Sequence, residues 1–267
     1  MMRDVGLAAL LLLVGSCGRA DAPHDILSRT RVVDLSHDFA ADTIVWPTEK
    51  PFALSVEHAG ETPGGYYYAA NRFEMAEHGG THLDAPIHFS AEGQTAEQIP
   101  VERFLGPGVV VDVRAAAAAD PDHLASVADL EAWEAKHGKI PDGSIVLFRT
   151  GWSERWGDRA RYLGTDLQGA AAVPELHFPG IDPDAARWLA EKRRVAAVGI
   201  DTASIDRGQS TDFQTHRILL GANVPAFENV DRLGELPESG SLVVALPMKI
   251  RGGSGGPARI VALVPKP

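Results

Sequence analysis

The sequence predicts a strand-rich α/β domain with few helices, built on a mixed sheet or a barrel-like core. Three observations lead there. Eight runs rich in β-branched and aromatic residues are spread along the chain. Only three stretches combine helical spacing with helix-boundary residues. Two of the runs, Val109-Val110-Val111 and Ile145-Val146-Leu147-Phe148, are continuously apolar, as strands buried on both faces should be.

The strands are expected at Arg31–Leu35, Phe52–Val56, Tyr66–Glu74, Val109–Val113, Ile145–Arg149, Val195–Ile200, Leu242–Leu246 and Arg259–Val264. The first helix, Val127–His137, carries Leu130 and Trp133 and stops at Gly138. The second, Pro183–Arg193, has Asp182 as N-cap, Pro183 in its first turn and a basic last turn. The third is the short stretch Asp212–Gly221, with Ile218, Leu219 and Leu220 to bury. The alanine run Ala115 to Ala119 reads as a surface loop or a short helix start.

Residues 1–16 stand apart from this domain and read as an export signal. Arg3 supplies the positive start, and Leu7 to Val14 is an apolar core far short of the roughly 20 residues that span a bilayer. Val14-Gly15-Ser16 puts small residues directly before Cys17, as in a lipobox. Cys17 is therefore the expected lipidation site of an exported, periplasmic, membrane-anchored lipoprotein. Residues 17–29 read as the lipidated Cys and a polar tether, and 30–267 as one domain.

Composition narrows the chemistry. Lys and Arg number 25 and Asp and Glu 36, so 25 − 36 gives a net charge of −11, which argues against nucleic acid as a partner. One Cys excludes an intramolecular disulfide and a Cys-based zinc site. A metal in this chain has to be held by His, Asp and Glu.

The segment His78-Gly79-Gly80-Thr81-His82-Leu83-Asp84-Ala85-Pro86-Ile87-His88-Phe89 supplies such ligands. Two glycines and Pro86 exclude a helix. His78, His82, Asp84 and His88 all occupy even positions, so an extended chain shows them on one face. His78 and His82 lie about 13 Å apart if fully extended, at roughly 3.3 Å per residue, so the chain must bend at Gly79-Gly80 for both to reach one ion. Pro86 turns the chain and projects His88 into the same space. Downstream, His216 on the third helix and Glu228 twelve residues later complete a possible ligand set.

These residues resemble the His-x-Gly-Thr-His-x-Asp-x-Pro-x-His motif of the cyclase family of metal-dependent hydrolases, which includes kynurenine formamidases and isatin hydrolases. The similarity extends to Val45-Trp46-Pro47, to Gly199-Ile200-Asp201-Thr202-Ala203-Ser204-Ile205-Asp206, to the His216/Glu228 pair, and to Pro247–Ile250 with Gly252–Pro257. It implies a single-domain swivelling β/β/α cyclase-like fold.

The resemblance also implies that His78, His82 and Asp84 hold a divalent ion. Asp84, His216 and Glu228 hold a second ion where two are bound; in a single-ion member His216 contacts substrate instead. Zn and Mn both suit such oxygen and nitrogen ligands. Trp46 lines the substrate pocket, and His88 is the proton donor and acceptor, near its normal pKa, for attack of a metal-bound hydroxide. The expected substrate is a small aromatic amide or lactam, such as isatin or N-formylkynurenine, and the expected assembly is a homodimer or larger. Two competing readings are a non-catalytic periplasmic metal-binding lipoprotein and a lactone or ester hydrolase.

Two other features stay open at this level. Tyr66-Tyr67-Tyr68 reads equally as an aromatic pocket wall or as an exposed strand with one buried ring. Gly252-Gly253-Ser254-Gly255-Gly256 lacks the Gly-Lys-Ser/Thr ending of a phosphate loop and reads as a tight turn near the active site. Ser153 lacks the Gly-x-Ser-x-Gly elbow of a serine hydrolase.

Overall fold

A computed structural model describes residues 23–267. The expected export signal and Cys17 lie outside the described residues. The expected tether needs correction at its end, where Pro23–Arg29 forms a helix, α1. Pro23 opens the helix with a φ already suited to it. Thr30 Oγ1 donates to the Ile26 carbonyl and Lys266 Nζ to that of Ser28, tying the helix to the strands.

The elements then follow as β1 (Thr30–Asp34), β2 (Ala53–Glu61), β3 (Tyr67–Glu74), β4 (His82–Asp84), β5 (Leu105–Asp112), α2 (Arg114–Ala119), β6 (Leu124–Ala125), α3 (Val127–His137) and β7 (Ile145–Arg149). After these come α4 (Arg159–Leu163), β8 (Gly180–Ile181), α5 (Pro183–Lys192), β9 (Ala197–Ile200), α6 (Gln214–Gly221), β10 (Ala226–Glu228), β11 (Ser241–Pro247) and β12 (Gly255–Pro265). All eight expected strands and all three expected helices form. β2, β5 and β12 run longer than their apolar runs suggest, because their extra residues pair with a neighbour while staying exposed or small.

The main sheet runs β1-β12-β11-β5-β7-β9-β10-β4, and β4 pairs back onto β12. Seven strands therefore close into a barrel, with β1 added along the far end of β12. β5, β7, β9 and β10 are mutually parallel, and the other pairings are antiparallel. The sheet is thus mixed and barrel-like, in line with the strand-rich α/β expectation.

The two continuous apolar runs now have a reason. Val110, Ile145 and Leu147 point into the barrel with Leu83, Phe227 and Val243. Val109, Val111, Val146 and Phe148 point outward into a second layer with Leu130 and Trp133 of α3, Leu189 of α5 and Leu219 of α6. Both faces are buried, so no polar alternation is tolerated.

β4 and β10 were not expected from sequence. Each is three residues long, and both are fully buried at the seam that closes the barrel. Their polar residues hide the strand signature, since strand propensity reads packing rather than backbone preference.

Candidate metal centre and active site

The barrel seam places the ligands. In β4, Leu83 enters the barrel core, so the period-two alternation sends His82 and Asp84 to the outer face. In β10, Phe227 enters the core and Glu228 points outward. Glu228 lies directly across from His82 in the antiparallel register, so the two share one face. His78 reaches the same face through the bend expected at Gly79-Gly80, where Gly80 has φ +60°. A side chain on Gly80 would strike the Phe39 ring. His216 arrives from α6, packed over the seam.

The distances are short. His78 Nδ1 is 2.6 Å from Asp84 Oδ1, and His82 Nε2 is 3.1 Å from the same oxygen and 3.5 Å from Glu228 Oε2. His216 Nε2 is 3.2 Å from Asp84 Oδ2 and 3.2 Å from Glu228 Oε1. His82, Asp84, His216 and Glu228 are buried, and His78 is partly so. Two groups of potential ligand atoms result, His78/His82/Asp84 and Asp84/His216/Glu228, with Asp84 common to both. The structure thus brings together all five residues expected to be ligands.

The hydrogen-bond pattern fits a cation at this point. His82 Nδ1–H donates to the Gly80 carbonyl, leaving Nε2 buried and without a hydrogen bond of its own. At His78, Ser254 Oγ–H donates to Glu77 Oε2 at 2.6 Å, so the hydroxyl oxygen accepts from His78 Nε2–H at 2.9 Å. In the tautomer that carries its proton on Nε2 alone, the Nδ1 lone pair faces the Asp84 carboxylate. Lone pair facing carboxylate is repulsive unless a positive charge stands between them. His216 is arranged likewise: Nδ1 lies 2.7 Å from Asp206 Oδ2, and Nε2 is aimed at the two buried carboxylates. A ligand imidazole whose other nitrogen is fixed by a carboxylate or carbonyl is the usual arrangement around bound metals.

The charges say the same. Burial works against a charged ring, yet Asp84 and Glu228 together raise His82 to about 9. Burial likewise opposes charge on His216, but its bonds to Asp206, Asp84 and Glu228 hold it well above the normal histidine value. Burial and the Asp84 charge push Glu228 up. Two buried carboxylates create a demand for positive charge that a divalent ion meets directly.

His88 stacks on His78, with ring centroids 3.8 Å apart and planes 19° from parallel. One edge of its ring is open to the cleft. Partial burial, with the neighbouring imidazoles and against the pull of Asp84, pushes its pKa down to about 4. This departs from the expectation of a near-normal value and favours the neutral ring at pH 7, a form that can accept a proton.

The cleft has a volume of about 400 Å³. Trp46, Phe89 and Phe213 are its aromatic walls, so Trp46 stands where it was expected. Trp46 is backed by a buried cluster that includes Trp152, Tyr162 and Phe178. Tyr66, Tyr67 and Tyr68 do not line the cleft, and none is buried. The pocket-wall reading fails, and the exposed-strand reading holds except for its one buried ring, because the run lies at the end of the β2–β3 hairpin.

Three functional side chains escaped sequence reasoning. Glu77 and Ser254 form the relay behind His78, and Asp206 orients His216 while accepting from the first N–H groups of α6. The glycine-rich loop carried a usable signal. A side chain at Gly255 would meet the Leu83 carbonyl at 2.3 Å and His78 Cε1 at 2.6 Å, so this position requires glycine because it lies against β4 and His78.

The comparisons agree with this geometry. The Cyclase family model matches residues 33–207. The chain is 34% identical to an isatin hydrolase from Roseibium aggregatum over 98% of its own length and 97% of that protein's. It is 29% identical to a kynurenine formamidase from Salinibacter ruber, covering 86% of this chain and 96% of the relative. Isatin hydrolase A from Ralstonia solanacearum superposes with a TM-score of 0.80 at 34% identity, covering 92% and 99% of the two chains. With the motif residues gathered at one barrel seam and these similarities along nearly the whole chain, this protein belongs to the cyclase family of metal-dependent hydrolases.

Proposed function

We propose that this enzyme hydrolyses the carbon–nitrogen bond of a small aromatic amide, with a cyclic amide of the isatin type as first choice and an aryl formamide such as N-formylkynurenine as second. The observation that carries the reading is the meeting of a buried His/Asp/Glu ligand set with a neutral His88 at the floor of an aromatic-walled cleft. The greater identity and coverage toward an isatin hydrolase than toward a kynurenine formamidase supports the order of the two substrates.

His78, His82 and Asp84 would hold one divalent ion, and Asp84, His216 and Glu228 a second where two are bound; Zn and Mn both suit these ligands. When bound, a divalent cation supplies Lewis acidity toward the carbonyl and brings the pKa of water toward about 7. The remaining work falls to the chain. Trp46, Phe89 and Phe213 hold the aromatic ring. His88, neutral and open to the cleft, takes a proton from the attacking water and returns it to the leaving nitrogen. Ser254 and Asp206 keep His78 and His216 turned to the site. A Cys17 lipid anchor, export to the periplasm and a homodimeric or larger assembly complete the reading, supported by the sequence and by the family resemblance.

The test is acid release from isatin and from an N-formyl aromatic amine by metal-loaded protein. Turnover of isatin with little of the formamide is expected. Turnover of neither refutes the substrate assignment.

A further inference from the structure

Tyr162 and Asn229 are buried polar side chains that the proposed reaction leaves unused. Tyr162 belongs to α4, and Asn229 follows Glu228 directly after β10. Tyr162 Oη is 2.8 Å from Asn229 Oδ1, and Asn229 Nδ2 is 2.8 Å from the Gly80 carbonyl oxygen. The same carbonyl accepts from His82 Nδ1–H at 2.9 Å. An unbroken line of hydrogen bonds therefore runs from α4 to a ligand imidazole.

The donors and acceptors along this line admit one arrangement. A carbonyl oxygen only accepts, so the Asn229 amide turns its NH2 toward Gly80 and its Oδ1 toward Tyr162. Oδ1 also only accepts, so the Tyr162 O–H points at it. The Asp201 carbonyl, 3.2 Å from the same hydroxyl, is the longer and weaker partner. At the other end, the Gly80 carbonyl requires a proton on His82 Nδ1. In the neutral ring this puts the lone pair on Nε2, which is buried and has no hydrogen bond of its own.

The Gly80 carbonyl needs such a brace. It lies before β4, outside the strand ladder, on the residue type whose backbone turns most freely. Asn229 is itself held firmly. Its N–H donates to the Thr202 carbonyl at 2.9 Å, and its own carbonyl accepts from Thr81 Oγ1 at 2.7 Å. Its φ of 53° is left-handed, a region that Asn tolerates better than most residues. Tyr162 and Asn229 are 0% and 3% exposed, so bulk water has no ready access to replace their bonds.

We infer that Tyr162 and Asn229 are positioning residues for His82: they pin the Gly80 carbonyl, and through it the tautomer and ring angle that turn Nε2 to the metal. The inference rests on the metal-centre reading above and extends it. Each of the three expected histidine ligands then has its own brace from a different part of the chain. His78 has Ser254 and Glu77, His216 has Asp206, and His82 has Asn229 and Tyr162.

The test uses the full chain loaded with Zn and labelled with nitrogen-15 at histidine. Asn229→Gly deletes the amide while keeping the left-handed backbone free of strain. Tyr162→Phe removes one oxygen. Long-range proton–nitrogen correlation reads the protonation of His82 Nδ1 and the exchange rate of that proton, and competition with a chelator reads Zn affinity. The wild type is expected to show a slowly exchanging Nδ1–H with Nε2 on the metal. Asn229→Gly should exchange faster and bind Zn about tenfold more weakly, the lower end for an outer partner of a ligand histidine. Tyr162→Phe keeps the Asn229–Gly80 bond and should move both readouts the same way, with affinity down by about threefold. The double variant should match Asn229→Gly alone, because the two residues act in series. An unchanged exchange rate in Asn229→Gly overturns the inference, even if affinity or thermal stability falls, since that loss is one of packing. Should Asn229→Gly not fold, an unchanged exchange rate in Tyr162→Phe overturns it equally. A wild type that binds no Zn, or binds it with His82 Nε2 free, overturns the metal-centre reading itself.

Discussion

Ser254→Ala is the most informative small change behind the ligand set. It removes one oxygen, keeps the glycine-rich loop and leaves every expected ligand residue in the sequence. The Ser254 hydroxyl accepts from His78 Nε2 at 2.9 Å and donates to Glu77 at 2.6 Å, while the Ser254 backbone N–H also reaches Glu77 at 2.9 Å. The variant therefore keeps Glu77 in place but frees His78 to turn or to change tautomer. Outer partners of ligand histidines typically contribute 10–100-fold in metal affinity, about 1.4–2.7 kcal/mol. The His78 side chain is 21% exposed, so water replaces part of the lost bond, and the lower end, about tenfold, is expected. The assay is competition for Zn or Mn against a chromogenic chelator, with a thermal melt as a fold control. Glu77→Gln combined with Ser254→Ala should cost little more than Ser254→Ala alone, because the two act in series. Affinity within twofold of wild type in Ser254→Ala refutes the relay.

Two further outcomes are expected. Asp206→Asn should weaken the second equivalent of metal by 10–100-fold before the first is affected, read by calorimetric titration, because Asp206 fixes His216 alone among the ligands. His37 is buried, stacks on Trp156 with centroids 3.9 Å apart, and is pushed down to about 4 by burial. A histidine with a lowered folded pKa leaves the unfolded chain binding more protons between about 4 and 6.5. Its stabilisation is therefore complete above about 6.5 and is lost as pH falls toward 4, by about 3 kcal/mol in all. Urea unfolding of wild type and His37→Gln at a series of pH values should show this as a difference in slope confined to that window.

Much of the site was legible in the sequence for a physical reason. Three of the expected ligands, His78, His82 and Asp84, cluster with His88 within eleven residues around glycines and a proline, a composition that only a bent, extended segment accommodates. The barrel strands were legible through Val109–Val111 and Ile145–Phe148, whose two-sided burial leaves no polar residue. β4 and β10 were hidden because each is only three residues long and His82, Asp84 and Glu228 interrupt their apolar pattern. The relay through Glu77 and Ser254 behind His78 was hidden because it joins positions up to 177 residues apart. Only the closed barrel makes them neighbours. The ionisation of His88 followed the same rule: its identity was in the sequence, and its lowered pKa came from the walls around it.

The most direct measurement is metal content together with isatin ring opening, on wild type and His88→Ala purified side by side. Wild type should carry one or two divalent ions per chain and release acid. His88→Ala should keep the same metal content and lose turnover by at least a hundredfold. A variant that turns over like wild type, or that loses its metal along with His88, contradicts the assignment of His88 as the proton-transferring residue beside an intact metal centre.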